Sequence, residues 1–374
     1  MNIYIYYSFF FLFQLCFIIQ LYYLLVIQKK FTSYKSPPED LATPTFPISV
    51  IICARNEATN LKQYLPSVFN QNYPNFEVIV VNDCSSDRSD EVLRVFQKEY
   101  PQLKVVKIDE HPRYKTAKKF AVTLGIKAAS HEVLVFTDAD CEPQTKDWLN
   151  LIASNYVDTD VEIVLAYSPY LKKKGFLNKL IRYETFQTAL NYFSFALNGM
   201  PYMGVGRNLS YKKSLFFKGK GFASHMHIPS GDDDLFVNQN ATIQNIAVEI
   251  RPDSHTWSVP KLTWSDYWKQ KIRHLGAGKE YKKQHQFNLS SQALSAIGFY
   301  ILLGICLTLK VELIAVLTIF TLRLIAQLYV FYKPMNTLRT KDLLAWFIII
   351  DPFYYIYLIA VVTVGFFRKK ATWK

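Results

Sequence analysis

Apolar residues are concentrated at both ends of this chain and frame a middle part of ordinary globular character. Residues 3–27 contain no Asp, Glu, Lys or Arg. Three more apolar segments follow near the C-terminus, at 293–309, 313–331 and 343–367. Because a helix needs about 20 apolar residues to cross a bilayer, these segments predict membrane spans. Asp351 and Pro352 interrupt the last segment, so we expect three or four full spans. With three, either the last segment is re-entrant or residues 293–309 do not cross fully.

The middle of the chain alternates short β-branched runs with helix-like patterns. The runs predict strands at 48–53, 76–81, 104–107 and 132–137. Between them, helices are predicted at 58–69, after the polar residues 82–87, and at 116–129. This alternation is typical of a doubly wound parallel α/β sheet. In such a sheet a ligand binds outside the carboxyl ends of the strands.

The pattern divides the chain into three predicted parts: an N-terminal anchor over 1–28, a globular domain over 29–285 and a membrane region over 290–374. Basic residues flank the apolar segments on the side of the globular domain, at Lys29, Lys30, Lys35, Lys279, Lys282 and Lys283. They predict that the domain faces the cytoplasm, at the inner or plasma membrane of the cell. Lysines follow the first segment where a cleavage site would need small residues, so we expect a retained anchor.

Composition narrows the class of protein. The 43 Lys and Arg against 30 Asp and Glu give a net charge of +13. Because many basic residues lie beside apolar spans, we assign this charge to anionic lipid headgroups and expect no nucleic-acid partner. The five cysteines have no C-x-x-C spacing and are expected to be free thiols. The sequence contains no phosphate-loop motif and no G-x-G-x-x-G after the first strand, which argues against an NTPase and against a dehydrogenase.

The sharpest motif is Asp138-Ala139-Asp140, directly after a predicted strand. In extended backbone residues i and i+2 point to the same side, so the two carboxylates are expected to converge. Such a pair is costly without a cation, and Mg²⁺ or Mn²⁺ would also bind substrate phosphates. The alternative is that Asp140 caps a helix predicted from Thr145. Asp83, at the end of a neighbouring strand, favours the metal site.

Two later segments carry further candidate chemistry. Asp232 and Asp233 belong to an acidic run, 232–234, at the start of a predicted helix. They either cap the helix dipole or supply a general base whose pKa is raised by its neighbours. Gln270 and Arg273 share a helix face at i, i+3 spacing and are suited to binding one anion. The alternative for this segment is an ordinary basic interfacial helix.

Two apolar segments contain features that need partners. Arg323 and Gln327 lie one turn apart within a predicted span, where polar groups are expensive. We expect a structural pairing of Arg323 with Asp351, with contact to an acceptor headgroup as the alternative.

Residues 176–197 have aromatics at near-helical spacing, which fits either an interfacial helix or a buried core helix.

Taken in order, these motifs resemble the membrane-bound, cellulose-synthase-like branch of the family 2 glycosyltransferases. The resemblance covers about residues 48–285 and implies a GT-A fold, the Rossmann-like mixed sheet of nucleotide-diphospho-sugar transferases, flanked by transmembrane helices. It rests on the segments 54–57, 117–121, 138–140, 204–208, 232–233 and 270–274. His274 stands where processive relatives have Trp beside the acceptor sugar, which weakens the case for a long-chain polymerase.

The resemblance implies a role for each matching residue. Metal binding falls to Asp138 and Asp140, and the general base is Asp232, with Asp233 as the alternative. Donor binding falls to Arg55, Glu57, Asp83, Lys118, Asp138, Gln270 and Arg273. The acceptor side would comprise Gly206, Asn208 and His274.

The implied activity is inverting transfer of a sugar from a nucleotide donor, UDP-linked by this resemblance, with Mg²⁺ or Mn²⁺. The expected acceptor is membrane-associated and lipid-linked, because apolar spans on both sides would hold the domain against the bilayer. A processive polysaccharide synthase is the first alternative. A catalytically inactive membrane scaffold is the second.

Overall fold

The computed structural model describes residues 3–37, 44–109, 118–228, 230–274 and 276–367. The strands are β1 Ile48–Ala54, β2 Phe76–Asp83, β3 Leu103–Ile108, β4 Val133–Asp138, β5 Cys141–Pro143, β6 Ile163–Ala166, β7 Leu209–Lys212, β8 Ile246–Glu249 and β9 Thr256–Ser258. The first helices are α1 Ile3–Tyr22, continued by a π-helical stretch Tyr23–Gln28, then α2 Lys29–Ser33, α3 Ala58–Phe69, α4 Ser89–Glu99, α5 Lys118–Ala128 and α6 Trp148–Ala153. They are followed by α7 Phe176–Leu197, α8 Lys213–Lys218, α9 Asp234–Asn240, α10 Trp264–His274, α11 Lys283–Thr308, α12 Leu313–Thr337 and α13 Phe347–Phe367.

The main sheet has the order β3-β2-β1-β4-β7-β6-β8. Strands β1 to β4 run parallel, as the alternation predicts. The mixed sheet that the resemblance implies is confirmed, because β7 is antiparallel to both of its neighbours, β4 and β6, whereas the alternation of strands and helices predicts parallel strands alone. The sheet is therefore mixed. Of the helix predicted at 116–129, the first two positions lie outside the described residues.

Two apolar layers cover the sheet. On one face α3, α4 and α6 pack through residues such as Leu65, Leu93 and Trp148. On the other face the apolar cluster extends from Ile51 of β1 through α7 to Ile350 of α13. Helix α7 is thus a buried core helix between the sheet and the membrane helices, which resolves the two alternatives for residues 176–197.

Four helical segments among the described residues are long and apolar enough to span a membrane. They are Tyr6–Ser33, Lys283–Thr308, Leu313–Thr337 and Phe347–Val364. The last is one helix with Pro352 inside it, so the structure favours four spans. The chain is accordingly a membrane protein.

The polar residues inside these helices meet in one network. The Arg323 guanidinium lies 3.4 Å from Asp351 Oδ2, donates to Gln327 Oε1 at 3.0 Å and to Gln20 Oε1 at 3.2 Å. Asp351 also accepts a hydrogen bond from Tyr183 of α7 at 2.5 Å. The expected pairing of Arg323 with Asp351 is confirmed. It connects α1, α12 and α13 with the helix that covers the sheet.

Asp351→Asn is expected to destabilise the protein by about 3 kcal/mol, because breaking a buried ion pair leaves the other charge uncompensated. Both side chains are almost wholly buried, so water cannot replace the lost partner. Thermal unfolding in detergent micelles measures the loss. Leu317→Ala, on the exposed outer side of α12, is the control and should change stability little. Equal unfolding midpoints for Asp351→Asn and the wild type would contradict the structural role of the pair.

Candidate active site

The carboxyl ends of the parallel strands β1, β2 and β4 lie side by side at one edge of the sheet. β1 is followed directly by Arg55, β2 ends at Asp83, and β4 ends at Asp138. Since β1 pairs with both β2 and β4, Cys53 lies in register beside Asp138. These strand ends open on a common cavity of about 660 Å³.

Hydrogen bonds join the loops that follow β1 and β2. Asn56, in the left-handed region at φ 57°, donates its N–H to Ser85 Oγ at 2.9 Å. Its Oδ1 accepts from the Ser86 N–H at 2.8 Å. This connection holds Arg55 and Glu57 on the cavity wall. Burial raises the pKa of Glu57 above its usual value.

Asp83 lies on the same wall and is almost fully buried. Its Oδ1 is enclosed and accepts no hydrogen bond from the described residues. Burial raises the pKa of this carboxyl, against the opposing effect of hydrogen bonding from Cys84 and the charge of Arg55. A buried acceptor without a donor is costly, so a ligand N–H is the group that Asp83 is suited to bind.

Lys118 joins the two acidic segments. Its Nζ lies 3.0 Å from Asp138 Oδ1 and 3.4 Å from Asp232 Oδ2. Burial disfavours the charged ammonium, but Asp138 and Asp232 outweigh burial and hold the pKa of Lys118 well above its usual value. The lysine is therefore a fixed positive charge between the metal motif and the acidic run.

Asp140 reaches the cavity by a route that the sequence does not indicate. The backbone after Asp138 turns, so the two carboxylates do not alternate along one extended strand. Strand β5 follows Asp140 directly, and the helix predicted from Thr145 begins at Trp148 as α6 with Asp147 at its N-cap, so Asp140 does not cap it. Burial, and next the charge of Asp138, raise the pKa of Asp140. Ser258 Oγ donates to its Oδ2 at 3.3 Å.

The donor set fits a divalent cation that also binds phosphate. Asp138 and Asp140 face one cavity and repel each other, and no group of three or more His, Cys, Asp or Glu suited to a metal occurs among the residues described. Mg²⁺ is commonly held in this way, by one or two carboxylates with substrate phosphates and water completing the shell.

The acidic run both caps a helix and lines the cavity. Asp233 caps α9, its Oδ1 accepting from the Asp234 N–H at 2.8 Å, and it also lines the cavity. Burial, and then the charges of Asp232 and Asp234, raise the pKa of Asp233 to about 7. Gly231 precedes the run at φ 94°, a conformation that L side chains rarely adopt.

Gly206 holds Asp233 in place. Its N–H donates to Asp233 Oδ2 at 2.7 Å. A Cβ at Gly206 would lie 3.3 Å from the same oxygen, tighter than an ordinary contact. The glycine therefore permits the close approach of this turn to the acidic run.

Helix α10 completes the cavity with Gln270 and Arg273. Glu184 of α7 fixes this helix, because it accepts a hydrogen bond from Tyr267 and lies 2.8 Å from Lys271 Nζ. Tyr267 also stacks on Tyr357 of α13, with ring centroids 5.5 Å apart.

The cavity collects the residues predicted for donor, metal and base: Arg55, Glu57, Asp83, Lys118, Asp138, Asp140, Asp232, Asp233, Gln270 and Arg273. Of the acceptor-side residues, Gly206 lines the cavity. Asn208 does not, which corrects its expected position: its amide is fully buried and binds Trp148 Nε1, Tyr167 O and Ser254 O. The side chain of His274 lies outside the described part of the structure.

The side chains of the cavity wall that sequence reasoning missed include Tyr170, Glu184 and Arg207. Glu184 is a lone carboxylate in a strongly apolar segment, a signal that could have found it. Arg207 lies within the 204–208 segment, but the resemblance of that segment rests on its glycines and its asparagine.

Two family models match the chain. "Glycosyl transferase family 2" matches residues 49–215. "Glycosyl transferase family group 2" matches residues 134–367, more than half of the chain.

Individual relatives agree with the family models. The probable glycosyltransferase YdaM of Bacillus subtilis is 28% identical over 63% of this chain and 55% of its own length. A poly-β-1,6-N-acetyl-D-glucosamine synthase of Staphylococcus epidermidis is 26% identical over 62% of this chain and 55% of its own. The chain thus spans about half the length of these relatives.

A solved structure matches nearly end to end. The mannosyltransferase PcManGT from Pyrobaculum calidifontis, in complex with GDP-Man and Mn²⁺, gives a TM-score of 0.64 at 18% identity. The match covers 98% of this chain and 99% of that one. At this identity the likeness concerns the fold.

Lys118→Gln is expected to raise the Mn²⁺ affinity of the nucleotide-free protein roughly tenfold, since it removes a unit positive charge beside Asp138. Electron paramagnetic resonance of free Mn²⁺ measures the binding. Lys127→Gln, an exposed position on the same helix, makes the same change in net charge and should leave the affinity unchanged. An unaltered or weaker affinity in Lys118→Gln would argue against Asp138 as a metal ligand.

Proposed function

Given that the chain belongs to the family 2 glycosyltransferases and has their GT-A fold, we propose that it transfers a sugar, with inversion, from a nucleotide-sugar donor to a hydroxyl of a lipid-linked acceptor. One observation carries this proposal. A single cavity at the carboxyl ends of β1, β2 and β4 brings together the Asp138 and Asp140 pair, the acidic run and the α10 residues Gln270 and Arg273.

The donor is a UDP-sugar. Asp83 supports this choice, because its enclosed Oδ1 has no donor among the described residues and suits the N–H of a uracil ring. The mannosyltransferase with the same fold was crystallised with GDP-Man, so GDP-sugars belong in any donor screen.

The diphosphate of the donor is bound between two sources of positive charge. Asp138 and Asp140 would hold Mg²⁺ or Mn²⁺, which supplies Lewis acidity to phosphate oxygens when bound. Arg273 and Lys118, which line the same cavity, stabilise the negative charge that develops on the leaving group. Arginine suits this task because its guanidinium is planar and always charged.

The general base is Asp233, in preference to Asp232. A base works best with a pKa near the operating pH, and the pKa of Asp233 is raised to about 7. Asp232 is engaged with Lys118 at 3.4 Å, which favours a role in holding that lysine. The base takes the proton of the acceptor hydroxyl, the oxygen attacks the anomeric carbon, and the nucleoside diphosphate leaves with the bonding electrons. One base suffices because no covalent intermediate forms.

The acceptor is lipid-linked and approaches from the membrane side. α7 supports this proposal, because Thr185 and Thr188 line the cavity while neighbouring residues of the same helix pack against α12 and α13.

The catalytic domain faces the cytoplasm. Lys333, at the end of α12, donates to Thr32 O at 2.6 Å, so the basic ends of two spans lie together beside this domain.

A processive polysaccharide synthase is the second candidate, favoured by the similarity to the poly-β-1,6-N-acetyl-D-glucosamine synthase. His274, in place of the tryptophan of processive relatives, speaks for single transfer. Product length in a membrane assay separates the two. The intact carboxylates of the cavity speak against an inactive scaffold.

Donor hydrolysis by the purified full chain tests the function. Mn²⁺-dependent release of nucleoside diphosphate is expected with one class of UDP-sugar. Asp233→Asn should retain UDP binding by calorimetry and lose activity roughly 10²- to 10⁴-fold, the contribution of positioned proton transfer. Asp232→Asn should lose less.

The opposite ranking of the two variants would assign the base to Asp232. Absence of binding and hydrolysis across UDP- and GDP-sugars would overturn the proposed function.

The pH dependence follows from the raised pKa of Asp233. A base acts deprotonated, so kcat/KM should rise with pH up to about 7 and level off above it. Because the charge of Asp232 contributes to the raised pKa, Asp232→Asn should move the midpoint to lower pH. Initial rates from pH 5 to 9 measure both. An unmoved midpoint in Asp232→Asn would argue that another group titrates.

A further inference from the structure

The guanidinium of Arg207 lies in the cavity wall, and among the described residues its Nη2 has a hydrogen-bond partner while its Nη1 has none. Its Nη2 donates to Ser168 O at 3.1 Å, and its guanidinium lies over the Tyr170 ring, 4.2 Å from the centroid. Its Nη1 is enclosed and has no hydrogen-bond partner among the described residues. Since enclosed donors are nearly always paired, this nitrogen is an unfilled binding position beside the cavity.

The surroundings of Arg207 hold it in one orientation. The stack on Tyr170 restricts the plane of the guanidinium, and the tyrosine is itself held, since Gln270 Nε2 donates to Tyr170 OH at 3.4 Å. On the other side the preceding residue, Gly206, donates its N–H to Asp233. A continuous wall thus runs from the proposed base to α10.

The position favours an anionic ligand. Asp140 acts electrostatically on Arg207, so the guanidinium borders the carboxylate pair proposed to hold a metal. Helix α10 contributes Arg273 to the lining of the same cavity. With a divalent cation on Asp138 and Asp140, an anion in this cavity would meet positive charge from the cation and from Arg207, and an ionised acceptor makes a hydrogen bond about twice as strong as a neutral one.

We propose that Arg207 binds a phosphate group through Nη1. This inference rests on the proposed function, because the cavity must accept a nucleotide sugar and an acceptor. Two ligands carry the required chemistry: the diphosphate of the donor, and the phosphate of a phosphate-bearing lipid acceptor. In either case the stack on Tyr170 pre-orients the fork, so little freedom is lost when phosphate binds.

The test compares Arg207→Gln and Arg207→Lys with wild type in nanodiscs. UDP binding in the presence of Mn²⁺, by calorimetry, probes the donor arm. Transfer rates with nanodiscs containing phosphatidylglycerol or the neutral diacylglycerol, which both carry a free hydroxyl, probe the acceptor arm. Arg94→Gln, an exposed position on α4, removes the same charge far from the cavity and serves as the control.

If Arg207 binds the donor diphosphate, Arg207→Gln should weaken UDP binding about tenfold to a hundredfold, the loss of a charged hydrogen bond. If it binds the acceptor phosphate, UDP binding stays unchanged and the preference for phosphatidylglycerol over diacylglycerol falls by a similar factor. In both cases Arg207→Lys should recover only part of the loss, because lysine keeps the charge without the stacked fork.

Unchanged UDP affinity together with an unchanged acceptor preference in folded Arg207→Gln would overturn the inference and leave the proposed function intact. Failure of the wild type to bind either UDP or GDP would overturn both. Unfolding midpoints of the variants establish that they are folded, and a misfolded Arg207→Gln leaves Arg207→Lys to decide by the same two measurements.

Discussion

The site depends on keeping several carboxylates together in one partly desolvated cavity. Asp138, Asp140, Asp232 and Asp233 all line it, and their repulsion appears as raised pKa values at Asp140 and Asp233, where burial is the larger cause. Lys118 compensates on one side by lying between Asp138 and Asp232. Asp140 lacks such an ion pair in the described structure, and this imbalance is the physical reason why the cavity suits a further cation.

Helix α7 relates this cavity to the membrane. Tyr192 of α7 donates to Ala166 O at the end of β6, while Tyr183 donates to Asp351 in the last span. Arg182 forms a two-pronged pair with Asp342, between the last two spans, at 2.6 and 2.8 Å. One helix thus bears the sheet on one side and the spans on another, so neither can move far without the other.

The sequence predicted what strand ends and spacing determine. Asp83 and Asp138 follow β-branched runs, and the parallel order of β1, β2 and β4 brings such positions to one edge. The pairing of distant strands was not predicted. β7 pairs antiparallel with β4, and the four residues of such a short strand do not indicate which strand they will pair with. The same limit explains Asn208, whose amide satisfies groups far away in the chain, and Arg207, whose significance comes from its stack on Tyr170.

One wall of the cavity is positioned partly by a membrane helix. Gln270 and Arg273 belong to α10, a short helix with many polar residues that gains little from burying its own surface. Its position relies on Glu184 from α7 and on the stack of Tyr267 against Tyr357 of α13. Removing the spans would take away Tyr357 and release the partners of α7, so Gln270 and Arg273 would lose their fixed position relative to Asp138. The membrane region therefore belongs to the architecture of the site as well as to its anchorage.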